Sequence, residues 1–184
     1  MTVFPVELVE RPPRGLIIPA HSLGQPMADI ARLFVGTPVS AVWPAANRAV
    51  YIPFLVQSRQ CVVTQLFFYL DVFSAANYDI GIYDATKKRV VSMGSTAVPN
   101  TPATMVLANI ADTALLPGQY WLGMVVSVAA TLTVFRHATA NYLAVASGMQ
   151  QEALGSTVLP DPPTFANLSS SFQPICGLLL DKTL

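Results

Sequence analysis

The sequence predicts an all-β fold: an antiparallel, jelly-roll-like β-sandwich of about eight to nine strands, behind an extended Pro-rich N-terminal arm. Three observations carry this. From Ala49 onward apolar residues recur with a period of two, the signature of a strand with one buried face. Turn residues separate such runs at spacings of about ten positions. No helical pattern intervenes between the runs, which disfavours parallel βαβ units.

The arm spans residues 1–48 and holds seven of the chain's fifteen prolines. It is also apolar, unlike a free linker, and presents Val3, Phe4, Val6, Leu16, Ile17 and Ile18. One short helix is expected near 26–34. There Pro26 suits the first turn, Asp29 favours the positive helix end, and Met27, Ile30, Ala31 and Phe34 repeat at helical spacing.

The sandwich is expected over residues 49–147. Val50, Ile52, Phe54 and Val56 alternate in a first strand, and Pro53 marks it as an edge or a bulge. The stretch 61–72, CVVTQLFFYLDV, is apolar on both faces and belongs in a central position. Tyr78, Ile80 and Ile82 alternate with Asp79, Gly81 and Tyr83, and Asp84 opens a turn before a short strand at 89–93. Further strands are expected at 104–110, 120–126, 131–136 and 142–146. A Pro-rich return over 148–184 ends in a closing strand at 175–180.

Composition excludes several functions. Ten Lys+Arg balance ten Asp+Glu, and no basic stripe exists, so phosphate-driven nucleic-acid binding is not expected. No apolar run reaches the ~18 residues of a membrane span. The stretch MTVFPVELVERPPR lacks the basic start and apolar core of a signal peptide, which points to synthesis and assembly in a cytoplasm. Charged residues are 11% of the chain, against about 25% in an ordinary domain. So sparse an ionic surface and zero net charge favour association, and the chain reads as a homo-oligomeric subunit covered by partners.

Catalytic groups are scarce. His21 and His137 have no nucleophile at a recognisable spacing, and no Walker-type loop, G-x-S-x-G, H-E-x-x-H or G-x-G-x-x-G occurs. Asp71, Asp79 and Asp84 form no calcium-loop pattern and read as turn and strand residues. Cys61 and Cys176 read as buried thiols, with pairing left open. No enzyme activity, cofactor or metal is expected. Tyr83 and Trp121 are the aromatics that would build a glycan patch, although strand aromatics serve packing more often.

The run NYDIGIYDATKKRVVSMGST, with YIPFLVQSRQCVVTQLFFYLDV before it and TALLPGQYWLGMVV after it, resembles a β-sandwich module of bacteriophage structural proteins. The matching residues are Asp79, Gly81, Ile82, Tyr83 and Asp84, then Gly94, Ser95 and Thr96, then Leu115, Pro117, Gly118, Tyr120 and Leu122. Lys87-Lys88 stand where an Asp-Gly type of turn is expected, so that hairpin should be longer. The resemblance covers roughly residues 49–135. It implies a virion subunit assembled in the host cytoplasm, a minor or decorating head protein that contacts coat, portal or tail proteins and its own copies. A tail or tail-fibre component and a glycan-binding host-recognition module are the alternatives. The expected assembly contacts are the arm residues named above together with Phe34 and Trp43.

Overall fold

The computed structural model describes residues 39–56, 60–136, 148–167 and 172–180, and the backbone of Leu16–Ile17. It is all-β, with two antiparallel sheets. Thirteen strands lie among the described residues: β1 (Leu16–Ile17), β2 (Val39–Val42), β3 (Arg48–Val56), β4 (Cys61–Val72), β5 (Asn77–Asp84), β6 (Arg89–Ser92), β7 (Thr96–Ala97), β8 (Thr104–Leu115), β9 (Gly118–Val126), β10 (Thr133–Arg136), β11 (Gln150–Ala153), β12 (Ala166–Asn167) and β13 (Cys176–Leu180). The eight to nine strands expected are therefore too few. The additional ones are short pieces, flanked by prolines or rich in glutamine, that show no hydrophobic alternation. The expected helix near 26–34 and strand at 142–146 lie outside the described residues.

The first sheet is organised by β4. Cys61–Leu70 of it pairs with β8 on one side, while β13 and β10 follow one another along the other side. Beyond them, β1 pairs with β13 and β2 with β10. This is the central place that the two-faced apolar pattern of 61–72 predicts. The second sheet runs β12-β11-β3-β9-β5, with β6 and β7 sharing the far side of β5. From β2 to β5, and again from β6 through β8 and β9 to β10, the main strands alternate between the sheets. Only β5 to β6 stays within one.

Pro53 shows how register accommodates a missing donor. β11 pairs only with Arg48–Tyr51 of β3, so Pro53 lies where β3 has β9 on one side and no described partner on the other. The hairpin after β5 is longer than a two-residue turn, as expected. It spans residues 85–88, Lys87 takes a φ of 69°, and the Asp84 carboxylate accepts the Thr86 N–H (2.8 Å), the Thr86 hydroxyl (2.6 Å) and the Lys88 N–H (3.0 Å). The Thr86 hydroxyl, ahead of the two amide donors, holds the Asp84 carboxyl below its usual range.

The core lies between the sheets. Val50, Ile52 and Phe54 from β3, Leu66, Phe68 and Leu70 from β4, Tyr78, Ile80 and Ile82 from β5, and Leu122 and Met124 from β9 are all buried there. These are the period-two positions of the sequence, so one face of each strand supplies the hydrophobic layer.

Candidate functional site

Strand alternation sends Asp79, Gly81 and Tyr83 to the outer face of the second sheet. That face is covered too. Register places Gly81 beside Gly123, and Gly123 beside Tyr51. A Cβ on Gly123 would sit 3.0 Å from the rings of Tyr51 and Tyr83, so its absence lets both rings lie down on the sheet. Tyr51 and Tyr83 meet edge to face at 5.5 Å, and Phe165 packs 4.7 Å from the centroids of both Tyr51 and Trp121. Lys87 places its ammonium 4.7 Å above the Phe165 ring. Ala49, Val125 and Leu159 complete this second, smaller core.

The cover is the C-terminal return, and polar groups fasten it. The fully buried Asp79 carboxylate accepts the Leu159 N–H (2.9 Å), the Gly94 N–H (2.9 Å) and the Ser92 hydroxyl (2.9 Å). The Tyr83 hydroxyl donates to the Pro160 carbonyl (2.7 Å), and the Arg89 guanidinium to the Leu159 carbonyl (2.5 Å). The Asp161 carboxylate accepts the Arg89 backbone N–H (3.0 Å). The Tyr51 hydroxyl donates to Glu152 (3.0 Å). Burial, reinforced by neighbouring Tyr83 and Glu152, raises the Tyr51 phenol pKa far above its usual value, and burial raises that of Tyr83. Polar groups so bonded to their own chain fix a segment in place, and both Asp79 oxygens are taken up within the protein. Asp79 is the strand residue that alternation predicts, and its side of β5 is dry because residues far along the chain return over it.

The other predicted positions divide as follows. Trp43, expected at an assembly contact, is fully buried. It packs edge to face on Phe172 at 5.1 Å and donates its indole N–H to the Arg48 carbonyl (2.8 Å), so it is a core residue. Tyr83 is also fully buried and cannot stack on a sugar, while Trp121 is half-buried against Phe165. The two-residue glycan patch is therefore corrected: Tyr83 is a packing residue and offers no surface ring. The backbone of Leu16 and Ile17 does reach the domain, opposite Leu179 and Leu178. Val3, Phe4, Val6, Ile18, Phe34, His21 and His137 lie outside the described residues.

The two cysteines do not meet. Cys176 lies across from Phe68, seven positions along β4 from Cys61, which is about 23 Å at strand spacing. A disulfide needs Cα atoms within about 7 Å. Burial raises the Cys61 thiol above its ordinary range and pushes Cys176 up to about 12.

The three aspartates considered as cation ligands are likewise separate. Asp71 belongs to the first sheet, where it accepts the hydroxyls of Ser40 and Thr133, while Asp79 and Asp84 serve the second sheet as described. Among the described residues no three His, Cys, Asp or Glu side chains gather in a metal-holding group. An open hollow of about 450 Å³ lies at the sandwich end beside Phe73, Ala76, Asn77, Val98 and Ser127. It contains no titratable group.

The outer face of the first sheet is mixed. Gln65 donates to Asn109 across β4 and β8, and Phe67 is buried, yet its cross-strand neighbour Leu107 is 44% exposed. Val42 and Val72, both opposite Thr133, are about half exposed. The site residues that sequence reasoning missed are Tyr51, Leu159 and Phe165. The signal for them was the doubly apolar character of β3 and β9, which requires cover on both faces. No known family model matches the chain, and no curated protein matches its sequence.

Proposed function

We infer that this chain is a non-enzymatic structural subunit of a bacteriophage virion, built on a jelly roll and acting as a minor or decorating protein of the head. The observation that carries the reading is the strand order. The order β2-β10-β4-β8 in one sheet and β3-β9-β5-β6 in the other supports reading the eight main strands as two interlocked Greek keys, an arrangement used by viral capsid proteins as well as lectins and cupins. Three further features support it over the other users of that architecture. Tyr51 and Tyr83, at the centre of the aromatic cluster that a lectin-like reading needs, are fully buried. Asp71, Asp79, Asp84, Glu152 and Asp161 are engaged in structural bonds. And the low charge content suits a molecule surrounded by partners.

The arm is the assembly element in this reading. Its apolar, Pro-rich composition and the pairing of Leu16–Ile17 on β13 support that role. Deleting residues 1–35 is expected to leave a folded sandwich, judged by circular dichroism and a cooperative melt, and to abolish co-sedimentation with particles. Immunolabelling of intact particles then gives the position: label on the head supports the decorating role, and label on the tail replaces it with a tail component. A truncated chain that still reaches full occupancy on particles overturns the role given to the arm. A full-length chain that is absent from purified particles overturns the virion reading.

A further inference from the structure

We propose that β8 is a self-pairing edge, and that the segment Thr104–Asn109 joins the same segment of a second copy, antiparallel and about a two-fold axis, to make one continuous sheet across two molecules. An unpaired strand edge requires an extended strand as its partner, because every second residue turns its N–H and C=O away from the sheet. Native edges are ordinarily kept short or blunted with proline, lysine or a bulge. Among the described residues the other edges follow that rule. β2 and β6 have four residues each, β1, β7 and β12 two each, and the uncovered end of β3 carries Pro53.

β8 does not follow it over its first half. The strand has twelve residues and pairs only with β4 among the described residues. Its register slips at Ile110–Asp112, where two extra residues stand opposite Val63–Gln65, and the sole charge of the strand, Asp112, sits there. Before that bulge lies a regular, uncharged, proline-free run, TMVLAN. The bulge therefore limits the edge and leaves six residues without a second strand partner among the described residues.

The sandwich dictates the register. Both copies must keep their core faces on the same side of the joined sheet, so an outward residue must meet an outward residue. Val106 and Ala108 point into the core, and Met105, Leu107 and Asn109 point out. Centring the run on an outward position puts Leu107 on the two-fold axis against its own copy, with Met105 opposite Asn109 and Val106 opposite Ala108. Leu107, 44% exposed in the single chain, is then covered, and the two Asp112 carboxylates fall on opposite sides of the seam. An isologous contact of this kind closes as a dimer and needs only one surface.

This inference rests on the assembly reading above, since it names a contact between copies, but its test is separate. The full-length chain should sediment as a dimer at high micromolar concentration. Leu107→Lys, a change at an exposed site, should sediment as a monomer with an unaltered melt. Leu107→Cys should give a reducible covalent dimer under mild oxidation, and this also decides the matter where the lysine variant fails to fold. A wild-type chain that stays monomeric, or a dimer that survives Leu107→Lys while Leu107→Cys remains uncross-linked, overturns the seam. Particle co-sedimentation of Leu107→Lys is read independently: its retention with a lost dimer leaves the virion reading intact.

Discussion

The buried carboxylate of Asp79 accepts the backbone N–H of Leu159, eighty residues further along the chain, at 2.9 Å. One strand residue thus anchors the segment that seals the outer face of its sheet. Asp79→Ala should cost about 2–4 kcal/mol, because the Leu159 and Gly94 N–H groups lose a charged acceptor inside the protein. Asp79→Asn, which keeps one acceptor oxygen, should lose less. Urea unfolding of the two variants against wild type checks the order.

The paired glycines of β5 and β9 should resist enlargement to different degrees. At Gly81 an added Cβ would lie 2.6 Å from the Val91 carbonyl oxygen, which is backbone, whereas at Gly123 it meets ring atoms at 3.0 Å. Gly123→Ala should destabilise by about 1–3 kcal/mol, within the overpacking range. Gly81→Ala should be the more damaging, since strands must part. Thermal melts of the two variants measure the difference.

Alkali should unfold the protein through Tyr51 and Tyr83. Both phenols hold their protons more tightly in the fold than in the open chain. Above about pH 10 the unfolded state therefore releases protons that the folded state keeps, and stability falls as pH rises, by up to about 1.4 kcal/mol per unit for each group. Below that pH their contribution is constant. The 295 nm phenolate absorbance should show these two tyrosines ionising together with the loss of fold. Tyr51→Phe should flatten the alkaline slope.

The two thiols should be inert in the native protein. Burial raises the pKa of both, so little thiolate is present at neutral pH, and their separation along β4 forbids a bridge. An aromatic disulfide reagent should label neither cysteine until denaturant is added. Oxidants should produce no intramolecular cross-link in the folded chain.

Removing the Tyr83 hydroxyl tests the return segment directly. Tyr83→Phe leaves the Pro160 carbonyl without its 2.7 Å donor, at a cost of about 1–2 kcal/mol. Limited proteolysis should then cut within residues 148–167 sooner than in wild type, while the sandwich fragment persists.

Much of the sandwich was legible because its strands obey a period of two. The stretch 61–72 is a strand to the residue, and its central place followed from apolar residues on both faces. The short strands were not legible. Gln150–Ala153 pairs with β3 through its backbone while presenting polar side chains, and Val39–Val42 lies between Pro38 and Pro44. Asp79 misled for a physical reason. Alternation tells which side a residue faces but not whether that side is wet, and here the answer depended on Leu159 and Phe165, far off in sequence. Trp43 misled too: its place in the Pro-rich arm suggested an assembly contact, yet the side chain turns inward to Phe172.

The pairing of Leu16 with Leu179 and of Ile17 with Leu178 has a mechanical consequence. The strands are antiparallel, so the chain enters β1 at the same end at which it leaves β13. Tension applied to both would part the pair one bond at a time, as a zip opens, rather than sliding the strands past each other. In single-molecule stretching, this rim should give way first and at low force, with the sandwich yielding only afterwards.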